Sequence, residues 1–237
     1  MLKIENTKTY GWEEAIRGMR NPMNSWEKSD SGFGCGNDNE YFCDGCPSSF
    51  DCASLNTTYN IGSNDLSLMA RLRNAGTDHR KFMRMITVYL DITAPLYWWK
   101  EFDTYKVGTV TNSCSTMHKI ADKEFTLDDF SHEHLFRNVN DTEIWLNIDF
   151  QNVLDNVIFY LNKARGLYLE TKDKKYWWQM IQLLPSSYNQ RRTIMLNYEV
   201  LANIYKSRRN HKLDEWHILC DWIESLPYSE LITGGKE

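Results

Sequence analysis

Ile194, Asn197, Leu201, Ile204 and Arg208 recur at alternating steps of three and four. That spacing predicts one helix face. The face is apolar except for an asparagine and an arginine, about 16 Å apart along the axis. A buried polar group costs free energy unless it is paired, so two uses stay open. In one, Asn197 bonds a neighbour and Arg208 sits at the helix end, where the dipole favours a cation. In the other, the two form a wall of a polar ligand site. A second cluster is Cys35, Cys43, Cys46 and Cys52, in a Gly-, Asn-, Asp- and Ser-rich stretch, 32–56, that reads as a loop insertion. One CxxC pair with two flanking thiols is a candidate four-sulfur zinc site. The spacing of the other two thiols is looser than such sites use, so the alternative is free thiols and no metal. Cys114 and Cys220 read as single buried or half-buried thiols.

The frame for these residues is a chain of 237 residues with formal charge −5. No Pro-, Gly- or Ser-rich linker divides it, so one domain over 1–237 is expected. The acidic balance argues against general nucleic-acid binding. Basic residues gather at Arg191-Arg192 and from Lys206 to Lys212, either as a solvated face or to hold a phosphate-bearing small molecule. No apolar run reaches membrane length and Met1 to Tyr10 shows no signal-peptide pattern, so a cytoplasmic location is expected.

Local patterns supply the elements. Leu2–Glu5 reads as a short strand and Trp12–Met19 as a helix ending before Pro22. Asn64 or Asp65 is expected to cap a helix with the stripe Leu66, Met69, Leu72 and the terminator Gly76. Ile86, Val88, Leu90 and Ile92 alternate with polar residues and predict a strand. Pro95 suits the first turn of the next helix, which carries Leu96, Trp98, Trp99 and Phe102. Gly108–Ser115 reads as loop. Val153, Leu154, Val157, Ile158 and Leu161 predict a long helix, Tyr176–Leu184 a short one, and Trp216, Ile218, Leu219, Trp222 and Ile223 the last. The paired tryptophans, Trp98-Trp99 and Trp177-Trp178, are expected in packing or an interface. Helices dominate with a modest sheet, an α+β fold.

The order of these blocks resembles the flavin-dependent thymidylate synthases. That family runs from a histidine, through a strand, to an Ala-Pro helix start, then a Gln, an Arg-His-Arg and S-x-N-E-x-S-x-R-Y. Here the corresponding stretch is His79, the strand 85–92, Ala94-Pro95, Glu101 to Lys106, and Asn112 to His118. Leu184-Pro185, then Asn197, Asn203 and Arg208, and finally Glu215-Trp216-His217-Ile218, resemble the family's second block. The resemblance implies His79, Lys106, Asn112, Asn197, Asn203 and Arg208 as cofactor-binding, and Glu101, Ser115 and Arg208 as substrate-binding. It places Ser115 and Arg208 in the catalytic centre. It implies FAD, NADPH and methylenetetrahydrofolate, a pyrimidine nucleotide such as dUMP, thymidylate synthesis by methyl transfer, and a homotetramer. Two phosphate-binding arginines of the family fall on Met117 and near Ile181. That substitution points to a changed substrate, or to a homologue that binds nucleotide or flavin without catalysis. Lys119, Arg191 and Arg192 are the candidate replacements. A purely structural oligomer is the third reading.

Overall fold

The computed structural model describes residues 2–35, 57–136, 139–140 and 147–234. In chain order these form β1 (Lys3–Tyr10), α1 (Trp12–Arg20), β2 (Gly32–Cys35), β3 (Thr57–Asn60), α2 (Ser63–Asn74), β4 (Thr87–Pro95), α3 (Leu96–Phe102), β5 (Val110–Ser113) and α4 (Thr116–Lys119). They continue with β6 (Val139–Asn140), β7 (Asn147–Ile148), α5 (Phe150–Thr171), α6 (Lys174–Leu183), β8 (Asn189–Asn197), α7 (Tyr198–Arg208), α8 (Asp214–Glu224) and α9 (Glu230–Thr233). The main sheet has the order β1-β4-β8-β5, and β2-β3 and β6-β7 form two small ladders. This is the α+β class expected.

Alternation forms β4 as expected: Val88, Leu90 and Ile92 are buried between less buried neighbours. Pro95 then stands as the cap residue of α3, one position before the first helical turn. Three local expectations change. The stretch read as loop after Gly108 contains β5, antiparallel to β8 with Asn112 opposite Thr193 and Ser113 opposite Arg192. All four β5 residues are exposed at a sheet edge, so no apolar alternation marks the strand. Ile194 and Asn197 do not share a helix with Leu201: both lie in β8. The chain passes from strand to helix at Asn197, whose side chain accepts a hydrogen bond from the Val200 N–H at 3.0 Å. In α2 the cap is Gly62, and Asp65 is buried inside the first turn. The buried face of α2 is therefore Asp65, Leu68 and Met69 rather than Leu66, Met69 and Leu72.

Contacts gather in two units. The first comprises Met1–Thr7, Tyr89–Met195 and His211–Leu219. Its α5 and α6 pack through Leu154, Leu161, Ala164 and Met180 onto Phe125 and Phe130. Val153, expected on that face, is exposed. A second group joins Trp98, Trp99, Phe102 and Trp216, with Trp98 and Trp216 centroids 4.8 Å apart. The Trp98-Trp99 pair thus packs inside, whereas Trp178 is largely exposed.

The second unit comprises Lys8–Val88, Leu196–Asn210 and Cys220–Glu237. It buries Ile16 and Met19 of α1, Met69 of α2, Phe82 and Met83 of the 3-10 turn Arg80–Arg84, and Leu201 and Ile204 of α7. Gly11, at φ 91°, is obligatory: a Cβ there would stand 2.1 Å from the Met85 carbonyl oxygen. Among the described residues no helix is long and apolar enough to cross a membrane.

Candidate functional site

In the second unit, three polar side chains meet where the 3-10 turn Arg80–Arg84 packs on α7. His79 precedes that turn and is exposed. The next residue, Arg80, is half-buried and faces Glu199 in the first turn of α7. Its Nε lies 2.9 Å from Oε2, but the N–H points to Oε1 at 3.1 Å. Oε2 is left shut off from solvent with no hydrogen bond among the described residues. A second nitrogen of the same guanidinium donates to the exposed Asn203 Oδ1 at 3.3 Å. Helical spacing places Asn203 one turn beyond Glu199 on the same face. The first-turn position also lets the helix dipole stabilise the Glu199 carboxylate. Arg73 stands nearby and donates to the carbonyl oxygens of Leu231 and Ile232. Burial, and then the charge of Arg80, hold its pKa below the ordinary arginine value.

Sequence reasoning selected His79 and Asn203 but missed Arg80 and Glu199. Their adjacency to His79 and Asn197 was the available signal. Their pairing spans 119 positions, beyond the reach of any local pattern. Asn197 and Arg208 bound α7 at its two ends, with Asn197 buried as the cap and Arg208 half-buried in the last turn. The basic run that follows is partly neutralised, because Arg209 pairs with Asp221 at 2.6 Å.

The first unit holds the other candidates. Glu101, on α3, accepts from the Trp216 indole N–H at 3.0 Å, and its carboxylate lies 3.4 Å from His211 Nε2. Ser115 caps α4 by accepting from the His118 N–H at 3.2 Å. Asn112 is exposed on β5, and Lys106 is exposed between α3 and β5. Met117 is exposed, whereas Ile181 packs into the α5–α6 core. Ile181 is therefore a half-buried residue packed against that core.

The candidate replacement cations are already engaged. Arg191 binds Asp91 at 2.8 Å. Hydrogen bonds from Thr193, Arg191 and Asn6 hold the Asp91 carboxyl at about 2. Arg192 donates to Asp103 at 2.7 Å and to Gln190 at 2.9 Å, with its guanidinium 4.1 Å above the Trp99 ring centroid. Lys119 pairs with Asp122 at 2.9 Å.

Two further openings lie in the second unit. A cleft of about 550 Å³ is lined by Arg20, Lys28 and Arg71 with Glu27 and Asp30. A smaller one, about 250 Å³, includes Trp26 and Tyr59. Neither is lined by a candidate from the sequence. Cys35 ends β2, and Cys43, Cys46 and Cys52 lie outside the described residues. Cys114 is exposed, contrary to expectation, because it follows the edge strand β5; Cys220 is buried as expected. Burial raises the Cys220 thiol pKa to about 11.

No family model and no curated protein matches the chain. Solved structures do. A flavin-dependent thymidylate synthase ThyX from Helicobacter pylori, complexed with FAD and dUMP, aligns over 99% of this chain and 100% of its own. The TM-score is 0.64 at 17% sequence identity. A UMP/dUMP methylase, PolB from Streptomyces cacaoi bound with 5-Br UMP, aligns over 95% of this chain and 88% of its own. Its TM-score is 0.52 at 13% identity. The path of this chain, from the N-terminal strand to the helices that follow Asn197, is that of the flavin-dependent thymidylate synthase fold.

Proposed function

We propose that this protein binds FAD and a pyrimidine nucleotide and carries out a flavin-dependent one-carbon transfer or reduction on that nucleotide. The observation that supports it best is the assembly of Arg80, Glu199 and Asn203, with His79 adjacent to Arg80 in the chain, within a fold that Helicobacter pylori ThyX uses with FAD and dUMP. The donor set fits a flavin. Guanidinium and carboxamide together offer donors and acceptors to a ring edge that alternates carbonyls with ring nitrogens. Flavin, when bound, supplies the redox chemistry, and the protein supplies orientation and field. Arg80 would orient Asn203 and bring positive charge to the ring edge, while Glu199 would hold Arg80 in place. Asn197 and Arg208, at opposite ends of α7, would contact the rest of the cofactor or the nucleotide. For the first unit, taken by itself, the resemblance supports Lys106 and Asn112 as cofactor-binding and Glu101 and Ser115 as substrate-binding. NADPH and methylenetetrahydrofolate would serve as reductant and carbon donor in a cytoplasmic homotetramer.

A non-catalytic, flavin- or nucleotide-binding role is the second reading. It is favoured by Ile181 packing half-buried against the α5–α6 core and by Arg191 and Arg192 being committed to carboxylates. Three measurements separate the readings. FAD titration by fluorescence quenching tests binding. Tritium release from 5-labelled dUMP, with FAD, folate and reductant present, tests turnover. Light scattering tests for four chains of 28.0 kDa. Binding with turnover supports catalysis, and binding alone supports the second reading. No FAD binding up to about millimolar, equivalent to about −4 kcal/mol, overturns both flavin readings and favours a structural role.

A further inference from the structure

The cleft of about 550 Å³ in the second unit is lined by the segment 27–30 and by one face of α2. Asn64, Ser67 and Arg71 belong to that face, at helical steps of three and four. Several groups of the lining are already spent. Arg20 donates to Asp65 and to the Ser25 and Lys28 carbonyls. The Ser29 hydroxyl donates to Asp65 at 2.6 Å. The Asp30 carboxylate accepts from the Asn64 and Asp65 N–H groups at 2.9 and 3.0 Å. Gly62 permits that approach, since a Cβ there would stand 2.2 Å from the Asp30 carboxyl carbon. These bonds fix the segment against α2, so the walls are in place before a ligand arrives. Five lining side chains remain: Glu27, Lys28, Asn64, Ser67 and Arg71. All five are exposed, and among the described residues none makes a side-chain hydrogen bond or ion pair. Glu27 and Lys28 are consecutive in the 3-10 turn Trp26–Lys28 and so do not face each other. Arg20, Arg80 and Arg209 of the same unit each meet a carboxylate, whereas Lys28 and Arg71 meet none. Leu68 is the one apolar side chain of the lining, so the cleft offers a flat aromatic ring nothing to stack on.

We infer that this cleft binds a phosphorylated sugar. Lys28 and Arg71 donate to the phosphate: two cations match a dianion, the lysine as a point charge and the arginine through its planar fork. Glu27, Asn64 and Ser67 meet the sugar hydroxyls. The carboxylate accepts, and the carboxamide and the hydroxyl both donate and accept. The volume lies within the range of about 300–1,000 Å³ usual for small-molecule sites, and water fills what the sugar leaves. None of the five residues is assigned by the family resemblance, and the inference does not rest on the function proposed above.

The test is calorimetric titration of the full chain with ribose 5-phosphate and with inorganic phosphate, for the unmodified protein and for Arg71→Gln, Lys28→Gln and Glu27→Gln. These substitutions remove no contact within the fold, so urea midpoints should stay unchanged. Ribose 5-phosphate affinity should fall at least about tenfold in Arg71→Gln and severalfold in Lys28→Gln. Glu27→Gln should move the two ligands in opposite directions. It removes a negative charge near the phosphate, so inorganic phosphate binds as well or better. It also removes the sugar's charged acceptor, so ribose 5-phosphate binds severalfold more weakly. A merely cationic surface predicts that both ligands gain together in Glu27→Gln, and that result overturns the inference. So does ribose 5-phosphate binding that ignores Arg71→Gln and Lys28→Gln, or no ribose 5-phosphate binding at millimolar concentration. Titrating dUMP and FAD against the same variants identifies the source. A nucleotide that weakens by the same factors carries the bound sugar phosphate, and dUMP and FAD binding that ignores the variants assigns the cleft to a free sugar phosphate. Ribose 5-phosphate binding that responds as expected in a protein that binds neither dUMP nor FAD supports the inference and overturns the proposed function.

Discussion

Two arginine–carboxylate pairs in the same unit, Arg20–Asp65 and Arg80–Glu199, share chemistry and differ in completeness. Asp65 Oδ1 accepts from Arg20 Nε at 2.6 Å, and Oδ2 accepts from Ser29, Ser31 and the Asp30 N–H. Arg20 spends its remaining donors on the Ser25 and Lys28 carbonyls. Side-chain exposure is 5% and 0%, and the network ties the 25–31 segment to the start of α2. In Arg80–Glu199 the exposures are 17% and 9%, one carboxylate oxygen lacks a hydrogen bond, and the guanidinium reaches out to an exposed asparagine. A closed network holds backbone in place. An incomplete one that reaches an exposed asparagine is the ligand contact proposed above.

The largest expected effect lies in the closed pair. Arg20→Ala leaves Asp65 buried and unpaired, and should cost about 3–5 kcal/mol in urea unfolding. Burial pushes the Asp65 pKa up, but hydrogen bonds from Ser29, Ser31 and Arg20, with the charge of Arg20, outweigh it and leave the carboxyl below the ordinary range. A depressed pKa stabilises the fold above the unfolded-state value of about 3.9. That contribution disappears as pH falls through the lower folded value. Urea midpoints measured downward from pH 5 should therefore drop in the unmodified protein below about pH 4. A flat profile there would break the assignment of Asp65 as an ionised structural group.

The open pair should respond in binding more than in stability. Arg80→Ala should weaken FAD at least about tenfold, or about 1.4 kcal/mol, while unfolding changes by less than in Arg20→Ala. Glu199 is left unpaired in that variant, so the double variant Arg80→Met, Glu199→Leu is the sharper probe. It should regain stability and still bind FAD weakly. A double variant that recovers both would show that Arg80 acts only as a counterion. Arg80→Lys should fall short of full binding, because an ammonium cannot span Glu199 and Asn203 as the guanidinium fork does.

The contrast also explains what the sequence discloses. Period-two burial in β4 is a property of neighbouring residues, so Val88, Leu90 and Ile92 announce it. Edge strand β5 buries nothing, so its ladder with β8 leaves no mark at Val110–Ser113. The stripe ending at Arg208 misleads because Ile194 is buried by the sheet and Leu201 by helix packing, and both look alike in spacing. His79 and Asn203 were picked out by the order of blocks around Ala94-Pro95 and Leu184-Pro185. Arg80 and Glu199 were not, because a contact across 119 positions has no local period. Asp65 was misread for a related reason: an acid at a helix start usually caps it, and only the distant Arg20 makes burial tolerable.

A smaller effect is expected at Met117, which is exposed near the start of α4. Met117→Arg should strengthen dUMP binding severalfold if the resemblance sets the register correctly, since a charged hydrogen bond contributes about 1.5–3 kcal/mol before exposure to solvent reduces it. No gain in dUMP titration would show that position 117 lies away from the nucleotide.

The smallest effect separates the two roles of Asn197. Its Oδ1 is committed to the Val200 N–H, so Asn197→Ala should cost about 1 kcal/mol as a lost cap. That loss alone does not distinguish a cap from a ligand contact, because a frayed α7 would also move Glu199 and Asn203. Asn197→Asp makes the distinction. The carboxylate keeps the acceptor and adds charge favoured by the dipole at the helix start, so unfolding by urea should stay within about 0.5 kcal/mol. What it removes is the amide N–H donor. If that donor meets the cofactor, FAD affinity should fall severalfold at unchanged stability. If FAD binds to Asn197→Asp as it does to the unmodified chain, Asn197 belongs with Asp65 among the groups that hold backbone, and the ligand-facing part of α7 narrows to Glu199, Asn203 and Arg208.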